Sequence, residues 1–526
     1  MSGMELQGLS LIGAQRGAPG GAEFTAFDPV SAEDLPLTFH SASVADAQRA
    51  TALASTAAPV LAALDGRQRG AFLSSIAAHL ESGRAEFEHW VPLETGLPSA
   101  RASGELSRTI AQLRLFAGWV EEGSWVDARI EHGDPTRTPL ARPDLRSMLR
   151  ALGPVVVFGA SNFPLAFSVA GGDSASAWAA GCPVIVKAHP AHPASSERAG
   201  LAIRAAIKQC GLPEGTFSLL FDASQAIGSA LLRDSQVRAV AFTGSRRGGR
   251  ALLDIAAARP DPIPVYAEMG SVNPVFVMPQ ALAARGDAIA AQLHASATQG
   301  VGQFCTNPGV MVVPHGVVGD AWVVKLAGLF AGTPVGSMLT RPIAESYLEG
   351  IQRLASSAGV RCLHVKAASA TGGVPSLFEV DSDLFLSDPT LHEEVFGPCS
   401  LIVRSQDLTD SLDIARSLPG QLTATVIADS GDYTASSVLL EVLQEKAGRV
   451  LMNGVPTGVE VSHAMVHGGP WPAATAPLTG SVGTAAMLRF CRRVCWQDVP
   501  DALLPAALQE SNPAELLRLV DGQWRR

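Results

Sequence analysis

The sequence predicts an α/β protein built around a parallel, doubly wound sheet. Three observations lead there. From residue 151 onward, short apolar runs alternate with longer stretches at helical spacing, the pattern of strand–helix–strand units. The strand candidates Pro154–Phe158 and Val184–Val186 are apolar, as strands covered on both faces are. The composition also supplies a large core: 47% of the 526 residues are hydrophobic and 17% are charged, too little charge for a disordered or coiled-coil chain. At ~150 residues per domain, the length suggests two to four domains.

The elements follow in order. The first 40 residues alternate polar and small side chains with turn signals such as Asp28-Pro29, and read as short strands and loops. Residues 43 to about 123 read as helical, with apolar residues at helical spacing in Val44–Ala50 and Arg67–Ile76. Residues 127–150 are Pro-broken and Arg-rich, a projecting ribbon or linker. After the strand 154–158, the small-residue stretch Leu165–Ala180 reads as helix, and Val184–Val186 as the next strand. A helix follows at Ser195–Gln209, with Gly211 in a stop position. Then come a strand at Phe217–Phe221, a helix at Gln225–Leu232, a strand at Val237–Phe242 and a helix at Ser245–Ala258. A second α/β stretch runs from Ile263 to about 460, and the tail holds Gly- and Pro-rich loops with a final amphipathic piece, Ala514–Val520.

Charge and cysteine usage exclude several classes. The net charge is −10, from 39 Lys+Arg against 49 Asp+Glu, with no basic block, so no nucleic-acid partner is expected. The seven cysteines, at 182, 210, 305, 362, 399, 491 and 495, contain no CxxC and no tight Cys/His cluster. That excludes a disulfide framework, predicts no metal site, and fits a reducing compartment. The N-terminus lacks a basic region followed by a long apolar stretch, and no apolar run approaches 18 residues. No leader and no membrane span are expected, so the location is read as cytoplasmic.

Four patches carry potential chemistry. Gly159-Ala-Ser-Asn-Phe-Pro164 follows a strand end, where ligands bind in parallel sheets. Asn162 offers an amide that can stabilise an oxyanion, though Asn before Phe-Pro is also an ordinary turn. Lys187 closes the run Val184–Lys187 and either snorkels or holds ribose hydroxyls or a phosphate. Phe242-Thr-Gly-Ser-Arg-Arg-Gly248 is a strand, a glycine turn and a helix start, and free N–H groups there suit a pyrophosphate. Its Arg246 and Arg247 read as a solvated face. Last, Glu268 stands among apolar neighbours, which should raise its pKa and suit a general base. Cys305, in Gly300-Val-Gly-Gln-Phe-Cys-Thr-Asn-Pro308, occupies a more polar loop than the other cysteines and is the candidate nucleophile.

These pieces form one ordered set: Asn162, Lys187, the 242–248 turn, Glu268, Cys305, then His392-Glu-Glu-Val-Phe-Gly-Pro398. The set resembles the aldehyde dehydrogenase superfamily, from Leu93-Glu-Thr-Gly-Leu-Pro98 to Met452-Asn-Gly454. Within it, His463–Pro470, Ser481–Thr484, Val494–Asp498, Lys187–Pro193 and Leu517–Gly522 resemble the branch of 2,5-dioxovalerate (α-ketoglutaric semialdehyde) dehydrogenases. NADP-linked long-chain aldehyde dehydrogenases of luminous bacteria share that branch, so a medium- or long-chain fatty aldehyde is the alternative substrate.

The resemblance implies three parts: a Rossmann-type cofactor domain over 1–126 and 152–266, an α/β catalytic domain over 267–470, and a small β oligomerisation ribbon from 127–151 with the tail 471–526. It implies a homodimer or homotetramer acting on a small-molecule aldehyde. Cys305 would attack the aldehyde, Asn162 and the Cys305 N–H would hold the oxyanion, and Glu268 would activate water to hydrolyse the thioester. Lys187 and Glu394 would hold the two riboses, Gly244, Ser245 and Gly248 would form the pyrophosphate turn, and Phe396 would pack near the nicotinamide ribose. Two departures stand out. Many NAD-preferring relatives have a Glu three residues after the Lys, where this chain has Pro190, so nothing there repels a 2′-phosphate; NADP is favoured, with NAD the alternative. Ser161 also replaces the aromatic residue usual before the Asn. The presence of Cys305, Glu268 and Asn162 together disfavours a non-catalytic binding homologue, and Glu268 disfavours an acyl-CoA-releasing enzyme.

Overall fold

The computed structural model describes residues 6–366, 372–478 and 480–526. Residues 1–5, part of the stretch read for a leader, lie outside them. Four helices, Val44–Ala63, Gly66–Ser82, Arg84–Thr95 and Ser99–Glu122, fill the region read as helical. The first two open on capping boxes, Ser43 with Asp46 and Asp65 with Gln68, which satisfy otherwise orphaned N–H groups.

Two seven-stranded sheets position the site. In the first, the order is Val265–Glu268, Ala239–Thr243, Val155–Phe158, Val184–Lys187, Phe217–Leu220, Leu11–Ile12, Gln15–Arg16. The first five are parallel. The winding reverses between Val155–Phe158 and Ala239–Thr243, so the loops bearing Asn162 and Ser245 flank the crevice where doubly wound sheets bind ligands. The second sheet runs Arg361–His364, Ser376–Asp381, Cys399–Ser405, Val310–Pro314, Val275–Val277, Gln421–Ile427, Ala447–Met452. It is parallel except for its first strand. Apolar side chains cover both faces of each sheet, which is why the strands read as continuous hydrophobic runs.

The Arg-rich segment after 127 supplies Arg129–Glu131 and Leu145–Ala151 to a separate five-stranded sheet. Cys491–Gln497, Arg518–Val520 and Gln523–Arg525 complete it. Among the described residues, no helix is long and apolar enough to cross a membrane.

Two local readings are corrected. The helix expected over Leu165–Ala180 covers only Gly172–Ala180. The N–H groups of Leu165 and Ala166 are taken by the Glu105 carboxylate, both at 2.9 Å, and Ala166 O accepts from Gly172, so the segment turns instead. The tail piece Ala514–Val520 is not one amphipathic element. Its last three residues form a strand of a hairpin closed by Asp521-Gly522, both at positive φ, the turn chemistry that a two-residue hairpin needs.

Candidate active site

Cys305 sits in a loop held from three sides. The turn before it places Gly300, Val301 and Gly302 at positive φ. For the β-branched Val301 that is a strained conformation, of the kind structures keep where position matters. Gly302 packs so tightly on Gly397-Pro398 that a Cβ there would lie 2.4 Å from their backbone atoms. From below, Asn273 donates its amide hydrogens to Cys305 O at 2.8 Å and Asn307 O at 2.9 Å. Asn273 is itself fixed by Gln421, whose Oε1 accepts from Ser271 Oγ, Val272 N and Asn273 N at 2.8, 2.9 and 3.1 Å. The nucleophile loop is thus tied to the second sheet through one buried amide knot.

Glu268 ends a strand of the first sheet and faces the sulfur across a histidine. His467 Nε2 lies 2.9 Å from Glu268 Oε1 and 3.3 Å from Cys305 Sγ. Ser481 Oγ donates to Glu268 Oε2 at 2.6 Å. The tail delivers both partners. Residues 473–475 run antiparallel beside the end of Val265–Glu268, with Met269 N on Ala473 O at 2.7 Å. The chain then doubles back, so that Ser481 N bonds His467 O at 2.9 Å.

This corrects the expectation for Glu268. Burial pushes its pKa up, but the His467 charge and the hydrogen bonds from His467 and Ser481 outweigh that, and the carboxyl lies below its ordinary value. The carboxylate and the ring support each other's charge. Burial opposes protonation of His467, yet Glu268 and the Cys305 charge raise its pKa to about 10. His467 and Ser481 were given no role by sequence. The only signal was their presence in the tail motifs His463–Pro470 and Ser481–Thr484.

The Cys305, His467 and Glu268 ligand atoms lie within 4.8 Å of one another, close enough to raise a metal centre. Tetrahedral zinc with ~2.0–2.1 Å bonds holds its nitrogen and oxygen ligands about 3.3 Å apart. The 2.9 Å contact between His467 and Glu268 is an ion-pair distance, and the set reads as acid–base machinery.

Asn162 Nδ2 donates to Gln303 O at 3.0 Å, two residues before the cysteine. Its amide carries two hydrogens, so one remains for a substrate oxygen. Glu394 and Phe396 line a cavity together with Phe304 and Asn307, which flank Cys305.

The residues expected to hold a nicotinamide dinucleotide fit one. The Lys187 ammonium has no hydrogen-bond partner among the described residues, and burial lowers its pKa to about 8 against the pull of Asp222. Ser245 caps the helix Arg246–Ala257 by accepting from Gly248 N, leaving the first-turn N–H groups open to a phosphate. The adjacent Thr243 Oγ1 is buried and unmet. Gly244 and Gly248 lie against the Phe242 ring, where a Cβ would come within 2.6 and 2.9 Å of Cζ. The Glu394 carboxylate rests over Gly270 and is pushed up to about 7 by desolvation, against the pull of a hydrogen bond from the Ser271 N–H.

The comparisons with known proteins agree with this arrangement. Residues 18–470 match the sequence profile of the aldehyde dehydrogenase family. The chain is 52% identical over 527 residues to alpha-ketoglutaric semialdehyde dehydrogenase 2 of Azospirillum brasilense, covering 99% of this chain and 100% of the relative. It is 42% identical over 521 residues to the alpha-ketoglutaric semialdehyde dehydrogenase of Acinetobacter baylyi, covering 98% and 99%. The aldehyde dehydrogenase KauB from Pseudomonas aeruginosa shares the fold, with a TM-score of 0.80 at 20% identity over 94% of this chain and 97% of that one. A profile spanning most of the chain, and full-length relatives this similar, establish that the chain belongs to the aldehyde dehydrogenase family, oxidoreductases that oxidise aldehydes with NAD or NADP.

Proposed function

We propose that the enzyme oxidises 2,5-dioxopentanoate to 2-oxoglutarate. The observation that carries this reading is the end-to-end similarity to two relatives named for that semialdehyde, at 52% and 42% identity. The test compares 2,5-dioxopentanoate with hexanal and decanal at equal cofactor. A higher kcat/KM for either alkanal rejects the semialdehyde and favours a fatty aldehyde.

The mechanism follows from the triad. His467, its pKa raised to about 10, is an imidazolium at neutral pH beside Glu268, and its charge 3.3 Å from Cys305 Sγ stabilises the thiolate that attacks the aldehyde carbon, the thiol proton having left to solvent. The alkoxide formed faces the free Asn162 amide hydrogen and the Cys305 N–H, donors already in place. Lys187, Gly244, Ser245, Gly248, Glu394 and Phe396 would hold a nicotinamide dinucleotide, which would supply the acceptor for the hydride lost on going from thiohemiacetal to thioester. Glu268 then takes a proton from the water that attacks the thioester and passes it to solvent, while the sulfur departs as a thiolate beside the His467 imidazolium. A cavity lined by Glu268, His467 and Ser481 gives that water a place beside the base.

NADP is the favoured cofactor in this reading, because Pro190 supplies no carboxylate near Lys187 and the exposed Arg246 and Arg247 make the turn basic. A tenfold preference for NAD in kcat/KM overturns it. The first sheet with its helices is assigned to a cofactor domain over 1–126 and 152–266, and the second to a catalytic domain over 267–470. The remaining segments, 127–151 and 471–526, are assigned to the ribbon and the C-terminal tail, the tail passing Glu268 at Ala474 and Ser481 before Cys491–Gln497 joins the ribbon's sheet. Among the described residues, the ribbon's end strand Cys491–Gln497 and the second sheet's end strand Ala447–Met452 have no neighbour on their outer sides, and the latter exposes Val450 and Met452. These edges support a homodimer or homotetramer, which sedimentation analysis tests, and the free cysteines suit a cytoplasmic location.

A further inference from the structure

Three arginines approach the nucleophile loop, and two are held by the protein itself, each leaving one buried nitrogen, Nε, unmet among the described residues. Arg101 stacks over Phe163 and Phe304 and lies 3.3 Å from Glu105 Oε2. Arg449 donates both Nη groups to the carbonyls of Pro456 and Gly458. The third is Arg108, on the same helix as Arg101 and two turns further along it. Its Nε donates to Val459 O at 3.3 Å, and its guanidinium lies over the Phe167 ring. Both Nη atoms are buried and have no hydrogen-bond partner among the described residues. Its charge interacts with those of Cys305 and Glu268. Glu105, the nearest acidic side chain on its own helix, is already committed to Arg101 and to the N–H groups of Leu165 and Ala166.

A buried guanidinium with two unmet nitrogens is costly unless an anion arrives. The Arg fork matches a carboxylate, which it can bind through two parallel hydrogen bonds. The surroundings suit the rest of such a ligand. Phe167 packs against Arg108 and His467, with the Arg108 guanidinium over its ring and the His467 ring 5.7 Å away, and clusters with Phe163, Val459 and Met465. That wall is apolar enough for methylene groups. With ~1.5 Å carbon–carbon bonds, the four bonds of 2,5-dioxopentanoate separate its aldehyde carbon from its carboxylate carbon by about 5 Å.

Resting on the substrate reading above, we infer that Arg108 binds the remote carboxylate of the substrate and makes the enzyme selective for oxo acids over neutral aldehydes. Arg108 is thereby a specificity residue, while Arg101 and Arg449 hold the walls of the cleft.

The test uses the full-length enzyme with 2,5-dioxopentanoate and with pentanal, a neutral aldehyde of equal carbon number. Wild type is compared with Arg108→Met and Arg108→Lys. Arg108→Met is expected to lose at least 100-fold in kcat/KM on the semialdehyde, mostly through KM, while pentanal oxidation stays within threefold. Arg108→Lys, which keeps the charge but not the fork, should lose about tenfold on the semialdehyde alone, a factor of ten being about 1.4 kcal/mol. Equal losses on both substrates mean that Arg108 supports the fold or Cys305, and overturn the inference. So does an unchanged rate on the semialdehyde. Arg108→Lys decides the matter if Arg108→Met does not fold. A wild-type preference for pentanal instead rejects the substrate reading. The arginine is then judged with succinate semialdehyde against butanal, by the same criterion.

Discussion

Replacing His467 by Asn separates its role from that of Glu268. Asn is close to His in size at the ring's inner atoms but has no group that gains a proton. The pKa of His467 rises from 6.5 to about 10 in the folded protein. At 1.36 kcal/mol per pKa unit, that is about 5 kcal/mol of preference for the imidazolium. At neutral pH the ring is therefore already charged, 3.3 Å from Cys305 Sγ, where it stabilises the attacking thiolate. A hydrogen bond to a charged group is worth about 1.5–3 kcal/mol, which is ~10–10²-fold in rate. The assay is stopped-flow formation of the reduced cofactor at pH 7 with saturating substrate. His467→Asn should slow the first turnover ~10–10²-fold, because it removes the charge that stabilises the attacking sulfur. Cofactor binding, read by fluorescence, should be retained. A first turnover as fast as wild type would refute the assignment and leave His467 as a structural partner of Glu268.

Glu268→Gln should keep the first-turnover burst, while steady turnover falls roughly 10²–10⁴-fold, the usual worth of a base lost from deacylation alone; rapid-quench detection of the acyl-enzyme checks this. Cys305→Ala should abolish oxidation and still bind cofactor, measured by calorimetry; substantial residual activity would remove Cys305 as nucleophile. Gly302→Ala should cost about 3 kcal/mol or more in urea unfolding, since its Cβ would meet the Gly397 backbone at 2.4 Å and its φ is +64°. The His467 pKa is raised on folding, so its contribution to stability is full below pH 6.5 and is lost as pH rises toward about 10. Melting curves of wild type and His467→Asn should therefore differ most near pH 6 and converge by pH 10; a gap that widens with pH contradicts the sign.

Much of the fold was legible because parallel strands advertise themselves. Val155–Phe158 and Val184–Lys187 read as strands from composition alone, since burial on both faces leaves no polar position. The failures share a physical cause, the satisfaction of backbone groups by distant side chains. Nothing local says that Glu105 takes the N–H groups of Leu165 and Ala166, so small residues there look helical. The site divides the same way. Cys305, Glu268 and Asn162 lie in motifs whose local chemistry is suggestive. His467 is 162 residues from Cys305, in a Gly-rich tail segment where a histidine has no distinguishing neighbours. Sequence neighbours also misled about Glu268. The apolar residues beside it in the chain suggested a raised pKa, whereas the groups beside it in space, His467 and Ser481, lower it.

The charges around the nucleophile explain why a carboxylate on the substrate helps. Glu268 is balanced by His467, and Glu105 by Arg101. Arg108 has no carboxylate partner among the described residues and, unlike Arg449, whose Nη groups both meet carbonyls, it leaves the free site with a deficit of both charge and acceptors. A neutral aldehyde leaves that deficit in place and leaves two buried guanidinium nitrogens unmet through every step. An oxo acid cancels it on binding, before any bond changes. The charge created when Cys305 attacks is then met by the Asn162 amide and the loop N–H, which are held for that purpose by Gln303 and by the Asn273–Gln421 knot. Binding and chemistry thus draw on different donors. Loss of Arg108 should raise KM for the oxo acid without disturbing the oxyanion, whereas loss of Asn162 should lower kcat for charged and neutral aldehydes alike. The two signatures are opposite, and the same pair of substrates reads both.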